Sequence, residues 1–277
     1  MEPLVSASWL LSNLERTDLV VLQAGLPSAI FAGAMAVSDN EGIPGAAYVD
    51  LNKQFVDDRQ PLPHMLATAD RFSEDARKLG INQHDTIIVY DSSGIYASPR
   101  LRLAFKAMGH DKVAVLDGGL QTWQTHGLPT SRLKYDSLSM GDFVAHFLPN
   151  LFCDAEFVVE SIRSTNFTVV DARSPARFKG TAPEPRAGLR AGHIPGALNL
   201  SFEAVLDHGV MRPPAELRRI FDELSLLQRS LIFSCGSGVT ACIPALAAEL
   251  IGFTDIRIYD GSWSEWGARA DLAVAID

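Results

Sequence analysis

The segment Cys235-Gly236-Ser237-Gly238-Val239-Thr240-Ala241 combines a thiol with the backbone needed to use it. The apolar run Leu231-Ile232-Phe233 precedes it, and Cys242 to Leu250 has helical spacing, so a strand runs into a tight loop and the loop into a helix start. Two glycines let the backbone curl until successive N–H groups converge on one spot. A helix N-terminus adds partial positive charge there. The thiolate is the nucleophilic form of cysteine, and an electropositive cradle favours it. The pattern nominates Cys235 as a nucleophile.

The elements that must position this loop occur twice. Ile43-Pro44-Gly45-Ala46 returns as Ile194-Pro195-Gly196-Ala197. Ile87 to Gly94 returns as Leu231 to Gly238. Leu116-Asp117-Gly118-Gly119 with Trp123 returns as Tyr259-Asp260-Gly261-Ser262 with Trp266. Three matches in one order imply two copies of one domain. Short apolar strands (Thr168 to Asp171, Ala197 to Leu200, Leu231 to Ser234, Ile256 to Tyr259) alternate with helical stretches (Pro214 to Leu224, Cys242 to Leu250), which predicts an α/β fold with a mostly parallel sheet covered on both faces. At the cysteine position the first copy carries Asp91, which is no soft nucleophile. One active site is expected, centred on Cys235, and residues of the first copy could complete it.

Bulk composition narrows the function classes. The chain has 277 residues, 47% of them apolar and 21% charged, an ordinary balance for a globular protein with a sizeable core. A net charge of −9 with no Lys/Arg run argues against nucleic acid as a partner. No apolar stretch reaches the roughly 18 residues of a membrane span, and Met1-Glu2-Pro3 does not resemble a signal peptide. Three cysteines, an odd count, argue for a reducing compartment, so a cytoplasmic protein is expected. Cys153, Cys235 and Cys242 have no metal-ligand spacing, and neither metal nor bound cofactor is expected.

The repeated segments resemble the rhodanese superfamily, and the arrangement resembles its two-domain sulfurtransferases. The resemblance rests on Ile43 to Ala46, Asp117 to Trp123, Ala191 to Ala197, the cysteine loop and Asp260-Gly261-Ser262-Trp263. It implies tandem rhodanese-like domains: residues 1–130 without activity because of Asp91, a linker over 131–152, and residues 153–277 carrying the catalytic cysteine. Thiosulfate-using members tend to read Cys-Arg-Lys-Gly-Val-Thr, whereas Cys235 to Thr240 reads Cys-Gly-Ser-Gly-Val-Thr and resembles members that use 3-mercaptopyruvate. Thiosulfate is a dianion that cations in the loop would favour. Mercaptopyruvate carries its carboxylate away from its sulfur, so positive charge is wanted further off.

By the same resemblance Arg177 and Arg186, in the segment Ala176 to Arg186, hold the carboxylate and keto oxygen, a task for which guanidinium is suited. The loop residues Gly236, Gly238, Val239 and Thr240 contact the substrate. Ser237 belongs to a serine–histidine–acid arrangement, with His64 carried over from Leu62-Pro63-His64-Met65-Leu66 and the acid position falling at Asn52 or Asp50. The expected reaction moves sulfur from 3-mercaptopyruvate to Cys235 as a persulfide, releases pyruvate, and passes the sulfur to a thiol, cyanide or thioredoxin-type acceptor. The alternatives are thiosulfate as donor with cyanide as acceptor, or a binding module that retains only the fold. A cysteine phosphatase shares the cradle but needs arginine six residues after the cysteine, where this chain has Ala241.

Three polar residues near the site are read as structural. Cys242 is expected one or two turns into its helix, packed in the core. His193 belongs to the turn before Ile194, and Asp171 either caps the next helix or holds the cysteine loop. The apolar side chains Phe143, Val144, Phe147 and Leu148 lay the linker against a domain.

Overall fold

A computed structural model describes residues 1–27, 40–135, 139–227 and 229–276. These divide into two compact units. The first comprises 1–58, 66–148 and 208–211; the second comprises 59–65, 149–207 and 212–277. Each unit therefore includes one short segment taken from the other half of the chain.

The first unit is built on a five-stranded sheet in the order Leu4–Val5, Val113–Leu116, Thr86–Tyr90, Leu19–Gly25, Ala47–Asp50, with every pairing parallel. Thr86–Tyr90 and Val113–Leu116 are buried at every position, as strands covered on both faces must be. In the second unit the strands Phe152–Cys153, Ile256–Tyr259, Ser230–Ser234, Phe167–Asp171 and Leu198–Asn199 follow the same order, again all parallel. The two sheets match strand for strand, as the repeat predicts. Leu4–Val5 and Phe152–Cys153 were not foreseen, because two-residue edge strands carry no periodicity. Phe152–Cys153 falls at the end of the expected linker.

Helices cross between the strands. Pro214–Glu223 and Cys242–Leu250 form where their spacing predicts, and Ala155–Ser164 is capped by Asp154, whose carboxylate accepts from Phe157 N at 2.8 Å. Trp123 and Trp266 each stand at the fifth position of a short helix, Gly119–Thr125 and Ser262–Trp266, and each is buried against its own sheet. The matched turns also share backbone angles: φ is +82° at Gly45 and +79° at Gly196, values that favour glycine.

Within the expected linker, residues 136–138 lie outside the described residues. From Gly141 to Leu148 the chain is strapped along the first unit by backbone bonds, among them Phe143 N to Ile81 O at 3.2 Å and Leu148 N to Ala107 O at 2.7 Å. Phe143 is fully buried beside Phe72 and Phe105. Val144, Phe147 and Leu148 remain about half exposed, so one of the four apolar side chains anchors the strap, and hydrogen bonds hold the rest, including Val144 N to Gln83 Oε1 and Ala145 N to Ser73 Oγ, both at 2.8 Å.

Candidate active site

Cys235 follows directly on the strand Ser230–Ser234 and is 2% exposed, so any charge on its sulfur must be met by protein groups. The loop is held from outside by the helix Ser262–Trp266. Trp263 N donates to Cys235 O at 2.9 Å, and Ser264 donates to Gly236 O through its N at 2.9 Å and its Oγ at 2.6 Å. A trans peptide aims its N–H opposite to its C=O, so these bonds turn the N–H groups of Gly236 and Ser237 away from that helix. On the far side, Val239 O and Thr240 O accept from Cys242 N and Ile243 N, which aims the N–H groups of Thr240 and Ala241 away from the helix body. Gly238, at φ +73°, makes the turn between the two sets.

Ser262 shows how tightly this frame is specified. Its φ is +49°, a left-handed conformation that the first unit gives to Gly119 (φ +58°). Ser262 Oγ accepts from Cys235 N at 3.2 Å and donates to Tyr259 O at 2.8 Å, two buried bonds that offset the strain.

Around this loop the second unit gathers the other nominated side chains. Arg177 is the third residue of the short helix Pro175–Phe178, and Arg186 follows in irregular chain. A methyl group on Gly236 would stand 3.3 Å from Arg177 Nη2 and 3.8 Å from Arg186 Nη1, so both guanidinium groups lie over the residue next to the cysteine. Arg186 Nη2 is 3.5 Å from Ser237 Oγ. His64 arrives on the segment 59–65, itself at φ +62°, and its Nδ1 lies 3.0 Å from Ser237 Oγ; which atom donates depends on the imidazole tautomer. Gly236, Ser237, Gly238, Val239 and Thr240 form the loop. Asp50 and Asn52 have partners within the first unit: Asp50 pairs with Lys53 at 3.1 Å, and Asn52 donates to Pro27 O at 2.8 Å.

Two expectations are corrected. Cys242 is the first residue of its helix, not one or two turns inside it; it is fully buried, and its Sγ donates to Gly238 O at 3.3 Å. Asp171 neither caps a helix nor touches the cysteine loop with its carboxylate. It takes Arg173 Nε at 3.0 Å and Nη2 at 2.6 Å, and Pro175–Phe178 has no side-chain cap. His193 is buried and stacked on Phe178, with Nδ1 2.9 Å from Phe178 O, which steadies the stretch that carries Arg177. Among the described residues no group of three His, Cys, Asp or Glu side chains could hold a metal ion.

Comparison with known proteins accounts for this arrangement. A model of the rhodanese-like domain matches residues 6–126 and again 154–269. The chain belongs to the rhodanese family. It is 40% identical to the human 3-mercaptopyruvate sulfurtransferase, over 96% of this chain and 92% of that one. It is 37% identical to thiosulfate/3-mercaptopyruvate sulfurtransferase 1 of Arabidopsis thaliana, over 99% and 78%. The crystal structure of SseA, a 3-mercaptopyruvate sulfotransferase from Escherichia coli, superposes with a TM-score of 0.84 at 32% identity, covering 96% of this chain and all of that one.

Within the rhodanese fold, the residues that sequence reasoning missed are those that hold others. Glu184 and Arg173 are a buried pair behind Arg177, and Ser262 and Ser264 hold the loop. Ser262 stands in the Asp260-Gly261-Ser262-Trp263 motif, which marks it without giving its task, and Ser264 lies just beyond. Glu184 lies in the segment Ala176 to Arg186, where only the two arginines carry an expected role.

Proposed function

We propose that this protein is a sulfurtransferase that takes sulfur from 3-mercaptopyruvate on Cys235. The observation that carries the reading is the pair of guanidinium groups over Gly236, which sets a carboxylate site one residue from the thiol while the loop itself carries no cation. The Cys235 thiolate attacks the donor sulfur, and the new S–S bond forms as the C–S bond breaks. The bonding electrons leave on carbon as the enolate of pyruvate. The proton of the donor thiol reaches that carbon, giving pyruvate and a Cys235 persulfide. Ser237 and His64, 3.0 Å apart, are the groups that move this proton. N–H groups of the loop stabilise the outer sulfur. A thiol, cyanide or thioredoxin-type acceptor then attacks the outer sulfur and restores the cysteine, without a bound cofactor.

In this reading the chemistry belongs to residues 153–277 with His64 added, and residues 1–130 are catalytically silent because Asp91 stands at the cysteine position. A cytoplasmic setting is part of the reading. Its support is that Cys153, Cys235 and Cys242 are all buried and form no disulfide. Among the described residues no helix is long and apolar enough to cross a membrane.

Intact-mass analysis after incubation with donor, together with a pyruvate assay, tests the proposal. Wild type should gain one sulfur atom on the Cys235 peptide, and Cys235→Ala should lose pyruvate release by at least about a thousandfold. A Cys235→Ala variant that still releases pyruvate would overturn the mechanism, and a wild-type peptide that stays unmodified would favour a binding module.

A further inference from the structure

Behind the two arginines lies a residue to which the proposed mechanism gives no task. The side chain of Glu184 is 2% exposed and divides its carboxylate between two guanidinium groups. Oε1 accepts from Arg173 Nη1 at 2.8 Å, and Oε2 accepts from Arg177 Nη2 at 2.5 Å. Arg173 is wholly buried and fixed on its other edges by Asp171, by Gly192 O at 2.8 Å and by the face of Trp263 at 4.2 Å. Asp171 ends the strand beside Ser230–Ser234, and Trp263 N holds Cys235 O. Arg177 is therefore hung, through Glu184, from the same frame that fixes the cysteine loop.

The charges in this cluster nearly cancel. Arg173, Arg177 and Arg186 are positive and Asp171 and Glu184 negative, which leaves one net positive charge above the loop. A donor bearing one carboxylate and a neutral thiol matches that charge; thiosulfate brings two negative charges.

We propose that Glu184 is a specificity-determining positioning residue: it aims Arg177 at the loop and holds the cluster at one net positive charge, so that singly charged donors are chosen over dianions. The inference rests on the donor reading above.

The experiment compares kcat/KM for 3-mercaptopyruvate and for thiosulfate, with cyanide as acceptor, in wild type, Glu184→Gln and Glu184→Asp, each checked for folding by its melting curve. Glu184→Gln adds one positive charge with little change of shape, and the thiosulfate-to-mercaptopyruvate ratio should rise by about tenfold. Glu184→Asp keeps the charge but shortens the reach, so KM for 3-mercaptopyruvate should rise severalfold with the ratio unchanged. A folded Glu184→Gln that loses both activities equally, or an altered ratio in Glu184→Asp, overturns the inference. Should Glu184→Gln fail to fold, Glu184→Asp carries the test alone: an unchanged KM for 3-mercaptopyruvate, or an altered ratio, defeats the proposal. Wild type that releases no pyruvate at all defeats the donor reading itself, a result distinct from either of these.

Discussion

The loops that follow the matched strands Thr86–Tyr90 and Ser230–Ser234 have one backbone and two fates. Gly94 and Gly238 both take φ +73°. In the first unit the residue at the head of the loop is Asp91, and its carboxylate fills the cradle: Tyr96 N donates at 2.8 Å, Ala97 N at 2.7 Å, Ser98 N at 3.1 Å and Ser98 Oγ at 2.5 Å. Segment 208–211 closes the space above, with Gly209 O accepting from Ile95 N at 2.9 Å and its Cα 2.8 Å from where a methyl on Gly94 would stand. In the second unit the head of the loop is a thiol, and guanidinium groups lie above Gly236. The strand–loop–helix geometry gathers N–H donors whatever stands before it. What separates an occupied cradle from a candidate site is the first side chain and the roof.

The sharpest way to break this comparison is to give the first loop a thiol. In a Cys235→Ala background, Asp91→Cys should restore no pyruvate release and gain no sulfur by mass, because Gly209 occupies the approach. Recovered activity would show that the side chain alone decides. Removing the built-in anion comes next. Asp91→Ala leaves the N–H groups of Tyr96, Ala97 and Ser98 without their acceptor and should cost about 2–3 kcal/mol, read as a lower urea midpoint.

The ionisation of Asp91 adds a pH signature. Burial pushes its carboxyl above the usual carboxylate value, against the opposing pull of the Ser98 hydroxyl and the backbone donors. A value raised by folding means that the native state holds the proton more tightly. Its contribution to stability is complete below the unfolded value of about 4 and is lost as pH rises through the folded value. Asp91→Asn should flatten that decline, and equal slopes in both proteins would count against it. The smallest effect is expected from Gly236→Ala. There φ is not strained, and the added methyl meets only guanidinium tips, Arg177 at 3.3 Å and Arg186 at 3.8 Å, so KM for 3-mercaptopyruvate should rise a few-fold with stability little changed.

Much of the scaffold could be read directly from residue order. Apolar runs such as Ile87-Ile88-Val89 and Leu231-Ile232-Phe233 are strands buried on both faces, and the repeated glycines mark turns that need positive φ. The cysteine loop was legible for the same reason: its chemistry lies in consecutive residues. Glu184 was not, because an acid between two arginines in an irregular stretch has no period, and its partner Arg173 reaches it only through the fold. His64 was visible as a motif, but its partner Ser237 lies 173 residues further on. Cys242 opens its helix, with no turn before it, because the loop closes into helical bonds at once, with Cys242 N already bonded to Val239 O.

The short segments that each unit takes from the other half have a hereditary meaning. A gene cut at the linker would yield a second half with the thiol, both guanidinium groups and Glu184, yet without the imidazole of His64; the first half would lose the residues that cover Gly94. Once the two copies had traded these segments, neither could be inherited alone without loss. Each copy is incomplete without the segment it takes from the other.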